Sequence, residues 1–119
     1  MNMIELKSEL ASFTGSERFH CNPLCRKQRF TDGVLHMADQ AGAYWLIDVI
    51  FSHQTSKAAQ ATEFQVWKIV SANGQATVTM TDGDTDTPII QQSIPATDFP
   101  AGQLDLWYAD NTLYLPSEH

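Results

Sequence analysis

At Glu63 the hydrophobic period of the chain changes, and that switch limits the folds open to it. Before it, apolar residues recur at helical spacing, about 3.6 residues per turn. After it, Ala76, Val78 and Met80 alternate with Thr77, Thr79 and Thr81, as in a strand with one buried face. Helices followed by a run of strands make an α+β pattern rather than an alternating βαβ one. A length of 119 residues suits one domain, 1–119, with one core.

Residues 3–13 put Ile4, Leu6, Leu10 and Phe13 on one helical face, and Thr14-Gly15-Ser16 stops that helix, with Gly15 as a left-handed cap. Residues 16–30 read as a loop or as two short extended segments with ends pinned by Phe19 and Phe30, because Pro23 opposes both helix and central strand. Thr31 and Asp32 start a second helix as cap and first-turn acid, and Gly42 breaks it. From Ala43 to His53 the apolar residues run almost all the way round, which predicts a central buried helix containing one acid, Asp48. Strands are expected over 64–70, 76–81, 89–94, 104–108 and 113–115, with Asn73-Gly74 as a hairpin turn. The expected fold is α+β, with N-terminal helices packed on one face of a four- to five-stranded antiparallel meander sheet whose sequential strands pair.

Charge divides the chain. Seven Lys and Arg oppose fourteen Asp and Glu, a net charge of −7. Residues 1–57 balance to zero, so the whole excess lies after residue 57. An acidic protein repels nucleic-acid phosphates, which disfavours nucleic-acid binding by the chain as a whole. It suits a basic protein partner, with plain solubility as the simpler alternative. The bases Arg18, Arg26, Lys27 and Arg29 form a basic loop that could contact nucleic acid by itself. Two cysteines are too few for a disulfide scaffold. The N-terminus lacks a basic segment followed by an apolar run, and the longest apolar stretch is far short of a membrane span, so a soluble cytoplasmic protein is expected.

Several constellations bear on chemistry. His20, Cys21 and Cys25 form an H-C-x-x-x-C cluster of zinc-type ligands, but a second ligand pair is lacking and two reduced thiols in a loop explain it as well. Asp82, Asp84 and Asp86 alternate like calcium ligands, yet Thr87 and Ser93 stand where an EF-hand loop needs Gly and Glu. Asp32 and His36, four apart on one helix, could meet as an acid–base pair, with Asp48 and His53 nearby in type. A nucleophile, a motif and an oxyanion arrangement are missing, which favours a non-enzyme without a cofactor. Asp48, in the most apolar helix, must face solvent or find a partner such as Lys68. Trp67 and Trp107 fall out of phase with the apolar residues of their strands. That places both on the second sheet face, where they form a protein-binding patch compatible with homodimer formation, unless other elements cover it.

Six blocks occur in order: Phe13-Thr14-Gly15, Thr31-Asp32-Gly33-Val34, Ala41-Gly42-Ala43-Tyr44-Trp45-Leu46-Ile47-Asp48, Glu63-Phe64-Gln65-Val66-Trp67-Lys68, Thr97-Asp98-Phe99-Pro100 and Leu115-Pro116-Ser117-Glu118. Together they resemble a family of small uncharacterised bacterial proteins, often carried on plasmids and other mobile elements, that is a domain of unknown function. The resemblance implies a free-standing one-domain protein and a mobile-element setting. It supplies no activity and no catalytic residues, and His20–Arg29 lies outside it. The reading that results is a non-enzymatic interaction or accessory module, conceivably a counter-defence factor, presenting Trp67, Trp107, Asp82, Asp84 and Asp86 to an unidentified basic protein.

Overall fold

The computed structural model describes residues 2–14, 19–22 and 25–118, with the side chains of Asn22, Cys25 and Arg26 outside that description. The elements in order are α1 (Met3–Leu10), β1 (Phe19–Asn22), β2 (Cys25–Thr31), α2 (Asp32–Ala41), α3 (Tyr44–Ser52), α4 (Lys57–Gln60), β3 (Gln65–Ala72), β4 (Gln75–Thr81), β5 (Ile90–Ile94), β6 (Gly102–Ala109) and β7 (Thr112–Tyr114). The architecture is α+β. No helix among the described residues is long and apolar enough to cross a membrane.

Local chemistry sets the boundaries. Asn2 caps α1 by accepting from the Glu5 N–H at 2.8 Å, and Thr31 caps α2 by accepting from the Val34 N–H at 3.3 Å. Gly42 ends α2 in the left-handed region (φ 61°). The β3–β4 turn at Asn73-Gly74 and the β6–β7 turn at Asp110-Asn111 both take positive φ at their two central residues, which matches the right-handed twist of hairpin strands. On α1, Met3, Leu6 and Leu10 point inward while Ile4 is 81% exposed, so the buried stripe starts one residue earlier than expected. The helix ends at Leu10 rather than Phe13, and Gly15 lies outside the described residues.

The sheet departs most from expectation. Among the described residues it has seven strands, not four or five, in the order β1-β2-β7-β6-β3-β4-β5, and it is mixed because β2 runs parallel to β7. Two of the strands are Phe19–Asn22 and Cys25–Thr31, so of the loop and the two short extended segments expected over residues 16–30 the structure has the second. There Phe19 pairs with Thr31 and His20 with Phe30. Sequential pairing breaks twice, since β2 pairs with β7 and not with β3, and β6 pairs with β3 and not with β5. The apolar row Leu104, Leu106 and Tyr108 is fully covered only in the sheet interior, whereas Ile-Gln-Gln-Ser-Ile of β5 tolerates an edge.

All helices lie over one sheet face. Phe51 of α3 packs on Phe30 and Tyr108, and Trp45 meets Phe99 edge-on. α3 itself is a surface helix: Leu46, Ile47, Ile50 and Phe51 are buried, but Tyr44 and Asp48 are exposed. Asp48 therefore solves its solvation by facing water, and Lys68 lies across the sheet from it.

A buried amide fixes how the helices sit on β3. Gln65, 2% exposed, accepts from the Gln54 side chain at 2.8 Å and returns a bond to Gln54 Oε1 at 2.9 Å. It also donates to the carbonyls of Ala59 (3.1 Å) and Thr62 (3.2 Å) and accepts the Trp67 indole N–H at 2.8 Å. At the other end, Thr31 donates to Glu118 Oε1 at 2.6 Å, and the Leu115 N–H donates to the same oxygen at 3.0 Å. Gly33 makes room for this, since a Cβ there would stand 2.6 Å from both Glu118 Oε1 and Leu115 Cδ1.

Two stability predictions follow from these contacts. Gln65→Leu takes the acceptor from the buried Trp67 indole N–H and the partner from the Gln54 amide, and should lower unfolding free energy by about 2–4 kcal/mol. Gly33→Ala should cost about 1–3 kcal/mol by displacing Glu118 and Leu115. Urea titration of each variant against wild type checks both.

Candidate protein-interaction surface

Because the helices occupy one sheet face, the other is left without a layer among the described residues. Strand alternation assigns its residues: Val66, Lys68 and Val70 of β3, Thr77, Thr79 and Thr81 of β4, Asp105 and Trp107 of β6, Tyr114 of β7 and Arg29 of β2. Their exposure is intermediate or full, against the buried Trp67, Ile69, Val78, Leu106 and Leu113 on the helix side.

Trp67 must therefore be moved from the expected patch to the core. It is 1% exposed, stacks near His53 at 5.8 Å between ring centroids, and satisfies its N–H at Gln65. The phase was misassigned because Val66 and Val70, not Trp67, point to the open face. Large apolar residues on both sides of the strand, Trp67 and Ile69 within and Val66 and Val70 without, hide which set is inside. Trp107 lies on the open face, opposite Val66 in register. It meets Phe64 at 5.2 Å and Tyr114 at 6.1 Å, both nearly edge-on. The row Phe64–Trp107–Tyr114 is the apolar feature of this face, and edge-to-face geometry holds its rings in a fixed relation. Phe64 and Tyr114 escape sequence reasoning because each sits at a strand end beside stronger apolar neighbours. The one available signal is Tyr114 alternating with Leu113 and Leu115.

Carboxylates border the row. Asp82 folds its own loop, accepting from the backbone N–H of Asp84 at 2.9 Å and of Thr85 at 3.2 Å. Gly83 of that loop rests against the row's end, since a Cβ there would be 3.3 Å from Val66 Cγ2 and 3.8 Å from the Phe64 ring. Asp84 and Asp86 are exposed. Asp105 lies on the open face, and Asp110 in the β6–β7 turn is close enough to act on Tyr114, whose phenol is pushed up by burial first and by the Asp110 charge second. On α3, Tyr44 donates to Asp39; that bond first, then burial and the carboxylate's charge, raises its pKa.

The basic segment forms the far end of the same face. Arg29 donates from Nε to Thr112 Oγ1 at 2.9 Å and lies over the Phe19 ring at 5.0 Å. With Phe19 and Tyr114 it lines an open hollow of about 370 Å³. Lys27 is exposed. Arg18 and the side chain of Arg26 lie outside the described residues.

The remaining constellations are not brought together. His20 turns inward, stacking on Phe30 at 5.5 Å and pairing with Asp32 at 2.8 Å. Cys21, next along the strand, carries a free, exposed thiol on the other side. The Cys25 side chain lies outside the described residues. Among the described residues no group of three or more His, Cys, Asp or Glu could hold a metal ion. Asp32 and His36 do not pair, because His36 reaches Glu9 of α1 at 3.2 Å, while His53 pairs with Gln92 at 2.7 Å.

The architecture is thus a two-layer α+β fold with one sheet face that no other element covers among the described residues, aromatic and acidic in its middle and basic at one end. The chain belongs to a family of unknown function, DUF6876, whose model matches residues 4–119. Neither a curated protein nor a solved structure matches it.

The raised phenol of Tyr114 has a defined alkaline consequence. The unfolded chain releases that proton first, near the ordinary value of 10.0, so the stability it contributes is whole below about pH 10 and falls as pH rises through the folded value. Tyr114→Phe should flatten that alkaline loss. The ultraviolet phenolate titration of wild type minus Tyr114→Phe should have its midpoint above 10. Asp110→Asn should lower the midpoint without restoring the ordinary value, since burial is the larger cause.

Proposed function

We propose that the protein is a non-enzymatic interaction module, an accessory factor of the counter-defence type that a mobile element would carry, and that it binds a basic protein through the open sheet face. The observation that carries this reading is the Phe64–Trp107–Tyr114 row on the uncovered face, bordered by Asp82, Asp84, Asp86, Asp105 and Asp110. Rigid aromatic side chains supply desolvated contact area at small entropic cost, and the surrounding carboxylates steer a cationic partner and fix its orientation. A partner that normally holds nucleic acid is the basic surface such a module would occupy. Trp107 replaces Trp67 as the anchor.

Zinc binding by His20, Cys21 and Cys25 is less well supported. His20 would have to leave Asp32 and rotate to the other side of β1 to join Cys21. Nucleic-acid binding through Arg18, Arg26, Lys27 and Arg29 must compete with the acidic middle of the same face.

Affinity capture from a bacterial lysate, with and without nuclease, tests the reading when variants are run beside wild type. A stoichiometric basic protein should persist through nuclease. Its recovery should fall about tenfold or more with Trp107→Ala, and also with Asp82→Asn, Asp84→Asn and Asp86→Asn combined. Asn at position 82 keeps the oxygen that folds the loop, so the triple variant tests charge and not shape. Binding that survives both variants rejects the surface. Partners that vanish with nuclease transfer the function to the basic end.

A further inference from the structure

The outer side of β5 is the feature that the interaction surface does not use. Among the described residues β5 pairs with β4 alone and ends the sheet. Natural edge strands are usually guarded by lysines or other charges against pairing with a second chain. Here Pro88–Thr97 contains no charged residue in a chain of net charge −7. Ile89 is 40% exposed, and Ile90 and Ile94 are only partly covered.

The strand is also complementary to itself. Ile90-Gln91-Gln92-Ser93-Ile94, laid antiparallel on a copy with a twofold axis at Gln92, sets Ile90 against Ile94 and Gln91 against Ser93. Each pair then shares a sheet face, because residues opposite one another in an antiparallel ladder point the same way. The isoleucines meet on the helix side. There Ile94 lines a recess of about 440 Å³ with Trp45, Val49, Thr97 and Asp98. Gln92 at the centre is held by His53 at 2.7 Å, so the axis falls on a fixed residue. Pro88 and Pro95 flank the strand and, having no N–H to give, confine the pairing to this short segment.

From this we propose that two copies of the chain join through β5, pairing antiparallel about Gln92 to make one continuous sheet of fourteen strands. Ile90 of the second copy sits opposite Ile94 and covers the Trp45–Val49 recess. The joint is uncharged while the whole molecules repel, so added salt strengthens it by screening. Binding of a basic partner to the acidic face responds to salt in the opposite sense, which keeps the two readings experimentally apart.

Sedimentation equilibrium of the full chain, over a range of protein and salt concentrations, is the test. The expected result is a concentration-dependent dimer that tightens as salt rises. Gln91→Lys with Ser93→Lys opposes like charges twice across the axis and should weaken dimerisation about tenfold or more. Gln91→Lys with Ser93→Glu makes two attractive pairs in the same register and should restore it. Both positions are exposed, and circular dichroism reports that each variant is folded. A wild-type chain monomeric throughout overturns the proposal. So does an undiminished dimer in the two-lysine variant, and so does failure of the lysine–glutamate variant to restore association.

Discussion

The hydrogen-bonded amide of Gln65 holds the two layers in register. One side chain ties the turn after α3, the helix α4 and the turn after α4 to the central strand β3, and it takes the indole N–H of the largest buried residue on that strand. A buried amide left without partners would be costly, so the whole arrangement is favourable only when Gln54, Ala59, Thr62 and Trp67 are all in place. That requirement selects one docking of the helices among the many that an apolar interface alone would permit. It also turns Trp67 inward, which leaves Trp107 as the tryptophan of the open face.

The blocks that carry the family resemblance meet one another in space. Thr31 and Gly33 enclose Glu118, more than eighty positions later in the chain. Trp45 packs on Phe99, and Phe13 lies 5.2 Å from His36 within α2. Gln65 and Trp67 bond to each other. These segments are joints of the fold: caps, a buried amide and ring contacts between elements distant in sequence. The aromatic row draws only Phe64 from them and takes Trp107 and Tyr114 from elsewhere. Residues that build this framework and residues that present a surface are thus largely separate sets.

What the sequence made legible follows the range of the physics involved. Thr31 as a cap, Gly42 as a helix end and Asn73-Gly74 as a hairpin turn each depend on chemistry within a few residues, and all three stand as expected. β2 was illegible because its alternation runs Lys27-Gln28-Arg29-Phe30. The polar residue inside, Gln28, becomes acceptable only through a bond to the Phe51 carbonyl at 3.3 Å, which the local sequence cannot reveal. The parallel β2–β7 pairing joins residues about eighty positions apart and has no local signature. For the surface, the acidic loop was legible from composition. The row itself was not, because Val66 and Val70 disguise the phase of β3.

The two interfaces argued above use different parts of one sheet, and their geometries are compatible. The face is not uniform. Its β4 and β5 strands carry Thr77, Thr79, Thr81, Gln91 and Ser93, all uncharged, while Trp107, Tyr114, Asp105 and Asp110 lie toward β6 and β7 and the Asp82–Asp86 loop stands beyond the end of β4. Joining at β5 therefore buries neither Trp107 nor Tyr114. A twofold axis at that edge, perpendicular to the sheet, leaves the open faces of both copies on the same side. The assembly would then present two acidic aromatic rows facing one way, separated by the threonine-rich strands between them. Two linked sites raise the effective concentration for a second contact on any partner that repeats its basic surface, so modest affinity at each row becomes strong attachment to an array. The same geometry makes the spacing of the rows a property of the sheet itself, set by strand count and twist rather than by a flexible linker.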